Sequence, residues 1–430
     1  MAMSSDMESI PDEPLRLPQR ALPIPTGGGA ITVRGLRSAG LNVAGGDVVM
    51  PAMVLKESAV EHNIQTMATY SRSHDVLLAP HGKTTMAPQL FHRQLEAGAW
   101  GITVANVAQA AIARRAGAGK VLIANEVVGP SDLTQLIRWV GTEGPEMYCL
   151  VDSEDGVALL DAAMRDAPGT RDLLVLVEIG IRDGRTGCRD LYTVCRVAAA
   201  VQSCRRLRLV GVEGYEGGLG LDRSPSTLAK VDEYLDSLRA AVVRLVSASC
   251  LDPVERPIVS AGGSKYFDRV ADVLVGGDWH GTEVDVVIRP GCYVTHDHGR
   301  YADVSPLSEP DKAGNQLWAA LEVWAEVLSM PEPNKAIVGM GKRDAPYDLG
   351  LPVALHMARK AGGVEQAPPG IAVSRLDDQH AYVVVPDGGL RVGDRLGFGI
   401  SHPCTAFDKW NLIPIVDDEY TIIDGVRTYF

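Results

Sequence analysis

The 430-residue chain is poor in aromatic side chains, 5% in all with only five phenylalanines, and poor in positive charge: 41 Lys and Arg stand against 54 Asp and Glu. A net charge of −13 argues against nucleic acid or an anionic bilayer as partner, since both call for a basic face. No apolar run is long enough to span a bilayer. The first 30 residues are rich in Pro, Gly and acids and lack the apolar core of a secretory leader. The seven cysteines (Cys149, Cys188, Cys195, Cys204, Cys250, Cys292 and Cys404) are scattered and odd in number, which excludes a disulfide framework and points to a reduced compartment, by default the cytoplasm. A dinucleotide fingerprint is missing too. "GGLGLD" and "GMGKRD" are Gly-rich but lack the strand-to-helix setting and read as ordinary loops. No internal repeat is visible.

What is present is alternation. A 46% hydrophobic content and this length suit a folded protein of two domains. Residues 1–30 read as a flexible extension. From about residue 50, short apolar runs fall at 52–55, 76–80, 100–104, 120–124, 147–151, 173–179, 209–212, 257–260 and 284–288. "LLVLVEIG" is almost continuously apolar, as a strand covered on both faces should be. Helical stripes lie between, such as Leu228, Val231, Leu235, Leu238, Val242 and Leu245. Ser153 reads as a helix N-cap; Gly98 and Gly117 read as helix stops. The pattern predicts an α/β chain with a (β/α)8 barrel over 49–304, a doubly wound sheet being the alternative. After residue 305 come short strands broken by Pro, Gly and Asp, such as "AYVVV" and "DRLGFGI", which predicts a C-terminal β domain over 305–430. Residues 31–48, with "ITVRG", are expected to add a strand to it.

In a barrel, chemistry sits at the C-terminal ends of the strands. "LLAPHGKTT" puts His81 and Lys83 two positions apart, so both face one way. They are either a solvated strand end or an amine held in a pocket, where desolvation makes it nucleophilic. Later strand ends supply Glu178, Arg182 and Arg185; Glu213 and Tyr215; the small-residue turn Ala261 to Ser264, whose N–H groups could nest an anion; and Arg289, Gly291, Tyr293, His296 and His298. A reactive amine, an anion nest, an aromatic residue and cations together are what a phosphorylated aldehyde cofactor requires. His402 and Cys404 alternate on one side of an extended "SHPC", so both could reach one ion, imidazole plus thiolate suiting zinc; a buried structural cysteine beside a capping histidine is the other reading.

"PHGKT" resembles the cofactor-lysine motif of fold-type III pyridoxal phosphate enzymes, the alanine racemase-like fold. "RPGCYV" and "VGDRLGFGISHPCTAFDKWN" are similar to the last-strand loop and the metal motif of the D-serine dehydratase and D-threonine aldolase branch, and the likeness runs from about residue 48 to the C-terminus. The resemblance implies that Lys83 carries pyridoxal 5'-phosphate, with His81 and Arg185 beside it, Tyr215 against the ring face, and Gly262, Gly263, Ser264, Gly291 and Tyr293 around the phosphate. It implies a metal on His402 and Cys404, zinc before manganese, and a homodimer. The chain departs from the branch at Ala79 and Thr85, where Arg and His are more usual, and has no Asp after "EI" at 178–179. His296 and His298 could complete the metal site, form another, or flank the phosphate loop, which is the reading preferred here.

The expected function is therefore metal-assisted dehydration and deamination of a small β-hydroxy D-amino acid, such as D-serine, to a 2-keto acid and ammonia. Retro-aldol cleavage and racemisation use the same parts; Cys404 in place of Asp favours dehydration. A non-enzymatic cofactor-homeostasis protein is the reading from another class, and the C-terminal β domain with its metal pair argues against it.

Overall fold

A computed structural model describes residue 12 and residues 32–430, except 142–143, 166, 252–253, 313, 360–362 and 387–388. The expected N-terminal extension lies, Asp12 apart, outside the described residues.

The chain forms two sheets. Eight parallel strands make the first: β2 (Leu77–Leu78), β3 (Ile102–Val104), β4 (Lys120–Glu126), β5 (Glu146–Val151), β6 (Leu173–Ile179), β7 (Leu207–Gly214), β8 (Ile258–Ala261) and β9 (Asp285–Ile288), following β1 (Ala52–Lys56) in sequence. The order β2-β9-β8-β7-β6-β5-β4-β3 curls round, and a parallel bridge between His81 and Thr103 joins its ends into a barrel. The barrel closes at the very residues that lead into Lys83. Alternation fills it: Leu122, Leu150, Leu176, Val210, Ile258 and Val287 pack inside, while Val121, Ile123, Val175 and Val177 face the surrounding helices. Helices start where the sequence can cap them. Asn106 and Asp190 each accept from the N–H three residues on, as does Ser224 ahead of Pro225. Gly98 and Gly117 follow helix ends at φ of 102° and 82°.

The second sheet holds β1 with β10 (Leu321–Glu332), β11 (Lys335–Val338), β12 (Val353–Ala358), β13 (Val364–Gln366), β14 (Ala372–Leu376), β15 (Ala381–Val384), β16 (Arg395–Gly399), β17 (Leu412–Val416) and β18 (Ile422–Arg427). Two expectations are corrected here. Residues 52–55 do not enter the barrel: β1 pairs antiparallel with β10 and parallel with β17, so the chain begins in the second sheet before winding the barrel. Among the described residues, 32–48 supply no strand; Val33–Ala39 is a helix whose buried Val33 and Leu36 pack beside β18, and a bridge from Asn42 to Thr421 joins the sheet. The side chain of Thr32 caps that helix and Gly40 ends it at φ 62°, and these end signals outweigh the β-branched start of "ITVRG".

Candidate active site

A cavity of about 400 Å³ opens at the barrel mouth. Lys83 reaches it from a one-turn helix, Gly82–Thr84, and His81 from its N-cap, a few residues after the short β2. Gly82 permits the turn, because a Cβ there would lie 2.6 Å from the Phe91 ring. Burial holds the Lys83 amine below the usual lysine range; the cations Arg185 and Arg289 push the same way, and the Cys404 sulfur opposes. Burial, with the Lys83 charge next, keeps His81 neutral, and its Nδ1 is sealed without a hydrogen-bond partner. The opening strand end is thus a pocketed amine rather than a solvated terminus.

Across the cavity Arg185 lies over Tyr215, 4.4 Å from the ring centroid. Gly263, Ser264 and Gly291 also line the wall. Ser264 Oγ accepts from the N–H groups of Gly291 and Cys292 (3.3 and 3.2 Å), so the serine proton is left to point elsewhere. At Gly291 a Cβ would lie 2.5 Å from Thr84 Oγ1 and 2.6 Å from the His81 carbonyl. The Gly262 and Gly263 N–H groups, expected to hold a phosphate, instead donate to the fully buried carboxylate of Glu216 (3.0 and 2.7 Å). The turn's N–H groups are thus taken by a side chain of the chain itself. Tyr293 is a second departure: it faces the core, its hydroxyl accepting from Gln94 at 2.9 Å, and lines a separate cavity beside β2.

The strand-end candidates Glu178, Glu213 and Arg289 line the cavity, and Glu126 and Asp152, which sequence reading passed over, stand beside Glu178. Arg289 forms a buried ion pair with Glu213 and donates to Ser260 Oγ at 2.9 Å. Glu126, Asp152 and Glu178, at the ends of β4, β5 and β6, bring carboxylate oxygens within 4.8 Å of one another. Burial, then the neighbouring Glu178 carboxylate, pushes Glu126 up to about 9, so it carries a proton at neutral pH. His296 and His298 are absent from the cavity lining; burial keeps both neutral, and His298 sits against Gly399 of β16.

His402 and Cys404 do converge. Cys404 lines the cavity, its sulfur interacts electrostatically with the nearby His402 ring, and it sits 3.4 Å from Thr84 Oγ1. His402 Nδ1 is held by Asp348 at 2.5 Å, and Thr405 ties down the other oxygen of that carboxylate at 2.8 Å. A carboxylate on one imidazole nitrogen leaves the other for an ion, the usual arrangement behind a metal-bound histidine. Asp348 lies 54 residues before its partner, with no short-range signal to reveal it.

Comparison with known proteins agrees with this geometry. Residues 55–279 match the alanine racemase N-terminal domain family and residues 320–416 the serine dehydratase domain family. The chain is 26% identical over 377 residues to D-threonine aldolase of an Arthrobacter species, covering 86% of this chain and 89% of that one. It is 27% identical over 358 residues to 3-hydroxy-D-aspartate aldolase of Paracoccus denitrificans strain Pd 1222, covering 81% and 84%. Among solved structures, D-threonine aldolase from Filomicrobium marinum superposes with a TM-score of 0.73 at 27% identity, over 90% of this chain and 96% of that one. With the first match spanning more than half its length, the chain belongs to the alanine racemase N-terminal domain family, among the fold-type III pyridoxal phosphate enzymes.

Proposed function

We propose that the protein is a metal-assisted lyase of small β-hydroxy D-amino acids, which removes water from the substrate and yields a 2-keto acid and ammonia. The observation that carries this reading is the delivery of the Cys404 sulfur, paired with His402, into the cavity that holds Lys83. The residues fit pyridoxal phosphate. Lys83 offers an amine whose pKa burial lowers, His81 an orphaned ring nitrogen, Ser264 a hydroxyl oriented by two N–H groups, and Tyr215 a ring face. When bound, the cofactor takes up the electron pair left at Cα. An ion on His402 and Cys404 would supply a Lewis acid for the β-hydroxyl.

The chain's own groups then have separate tasks. The Lys83 amine is placed to take the proton from Cα, and burial, which lowers its pKa from the usual lysine range, favours that role. Neutral His81 accepts hydrogen bonds and cannot serve as an acid at neutral pH. The Cα–H and Cβ–O bonds break, water departs, and the released enamine hydrolyses to keto acid and ammonia. Retro-aldol cleavage is the second reading, favoured by the two relatives at 26–27% identity that are named as aldolases. Incubation with D-serine, D-threonine and 3-hydroxy-D-aspartate separates the two. Keto acid with equimolar ammonia supports the proposal; glycine with an aldehyde assigns the aldolase reaction instead. Turnover of L enantiomers alone would sink both.

A further inference from the structure

A third potential ligand sits beside the expected metal pair. Cys292 opens the turn Cys292–Val294 after β9, and its sulfur lies 3.6 Å from that of Cys404. Two thiolates on one tetrahedral zinc, each about 2.3 Å from it, stand about 3.8 Å apart, so the two sulfurs already hold roughly the spacing that one ion imposes. Both line the cavity. A hydroxyl able to donate to thiolates stands beside both: Thr84 Oγ1 lies 3.4 Å from Cys404 and 3.9 Å from Cys292. Cys404 is the shared neighbour of Cys292 and His402. The imidazole and the Cys292 sulfur are not yet gathered as tightly as the three carboxylates at the ends of β4, β5 and β6, so the ring has to close in when an ion arrives.

We infer that Cys292 is a third protein ligand, which with His402 and Cys404 forms a Cys2His zinc site whose fourth position faces Lys83. This rests on the metal reading of the preceding section and deepens it. Three protein ligands and one open position is the pattern of catalytic rather than structural zinc. Two thiolates neutralise the dication and select zinc over manganese or magnesium, which prefer oxygen donors. The open position is where a substrate β-hydroxyl would bind.

The test uses cofactor-loaded protein with zinc as the probe. Zinc-edge X-ray absorption should count two sulfur ligands in the wild type and one in Cys292→Ser. Competition with a chromophoric chelator should show zinc affinity falling at least tenfold in Cys292→Ser, with cofactor absorbance kept. One sulfur in the wild type, or unchanged affinity and sulfur count in Cys292→Ser, overturns the inference. Cys404→Ala checks the underlying reading separately: if that variant binds zinc as tightly as the wild type, the metal site itself is elsewhere. Loss of zinc in Cys404→Ala with full retention in Cys292→Ser would leave the pair standing and remove only the third ligand.

Discussion

A lysine amine in water keeps its proton at neutral pH and is a poor nucleophile. Lys83 differs only by location, buried and flanked by Arg185 and Arg289. The same holds for Cys404, whose thiol is drawn well below its ordinary range by interactions with Cys292, His402 and Thr84. If that sulfur holds a catalytic ion, Cys404→Ala should keep the cofactor and its colour while elimination falls by at least about 100-fold, since help for a poor leaving group is lost. Slow exchange of the Cα proton in deuterated water should survive, because Lys83 is untouched. A purely structural cysteine would instead lower stability and leave turnover per folded molecule intact. At Gly291 the constraint is space: with φ at −109° the backbone suits any residue, but a Cβ would press on Thr84 and His81. Gly291→Ala is expected to cost ~1–3 kcal/mol by overpacking, and to weaken cofactor binding by displacing the lysine turn. Equilibrium unfolding alongside a pyridoxal phosphate titration reads both; unchanged cofactor affinity would refute the link.

The elements explain why some of this could be read from sequence. Barrel strands such as β6 carry an apolar signal on both faces, and "PHGKT" is a local string, so the barrel and Lys83 were legible. β1 was misplaced because an apolar strand does not say which sheet takes it. The helix Val33–Ala39 was missed although Thr32 and Gly40 signal its ends. Glu126, Asp152 and Glu178 come from three successive strand ends, a proximity created by the pairing of β4, β5 and β6 and not by closeness in sequence. That cluster makes its own prediction. Glu126 has a folded-state pKa of about 9, above its unfolded value, so the folded state holds the extra proton between roughly pH 4.5 and 9. Stability must therefore fall as pH rises through that window. Glu126→Gln should flatten the fall and raise Tm near pH 8 by a few degrees, corresponding to ~1–2 kcal/mol once solvent screening of this half-buried group is allowed for. Thermal melts of both proteins from pH 5 to 9 decide it; parallel curves would mean the proton is not there.

At the scale of the whole molecule, the site is assembled from both sheets. The barrel supplies Lys83, His81, Tyr215 and Ser264; the second unit supplies His402, Cys404 and Asp348. Because β1 begins in the second sheet and leads straight into the first barrel helix, the two units share one continuous core. Sequence could name the residues on each side, but not that Glu216 fills the expected phosphate nest, that Tyr293 turns inward, or that Cys292 meets Cys404 across 112 residues. Among the described residues no helix is long and apolar enough to cross a membrane. The central claim is that one buried amine, Lys83, carries the cofactor. Borohydride reduction of the purified yellow protein, followed by peptide mapping, tests it most directly. The account predicts that visible absorbance is lost and that a single peptide, containing Lys83, carries the pyridoxyl group. A label on any other lysine, or no label in a protein that still turns over D-amino acids, would contradict it.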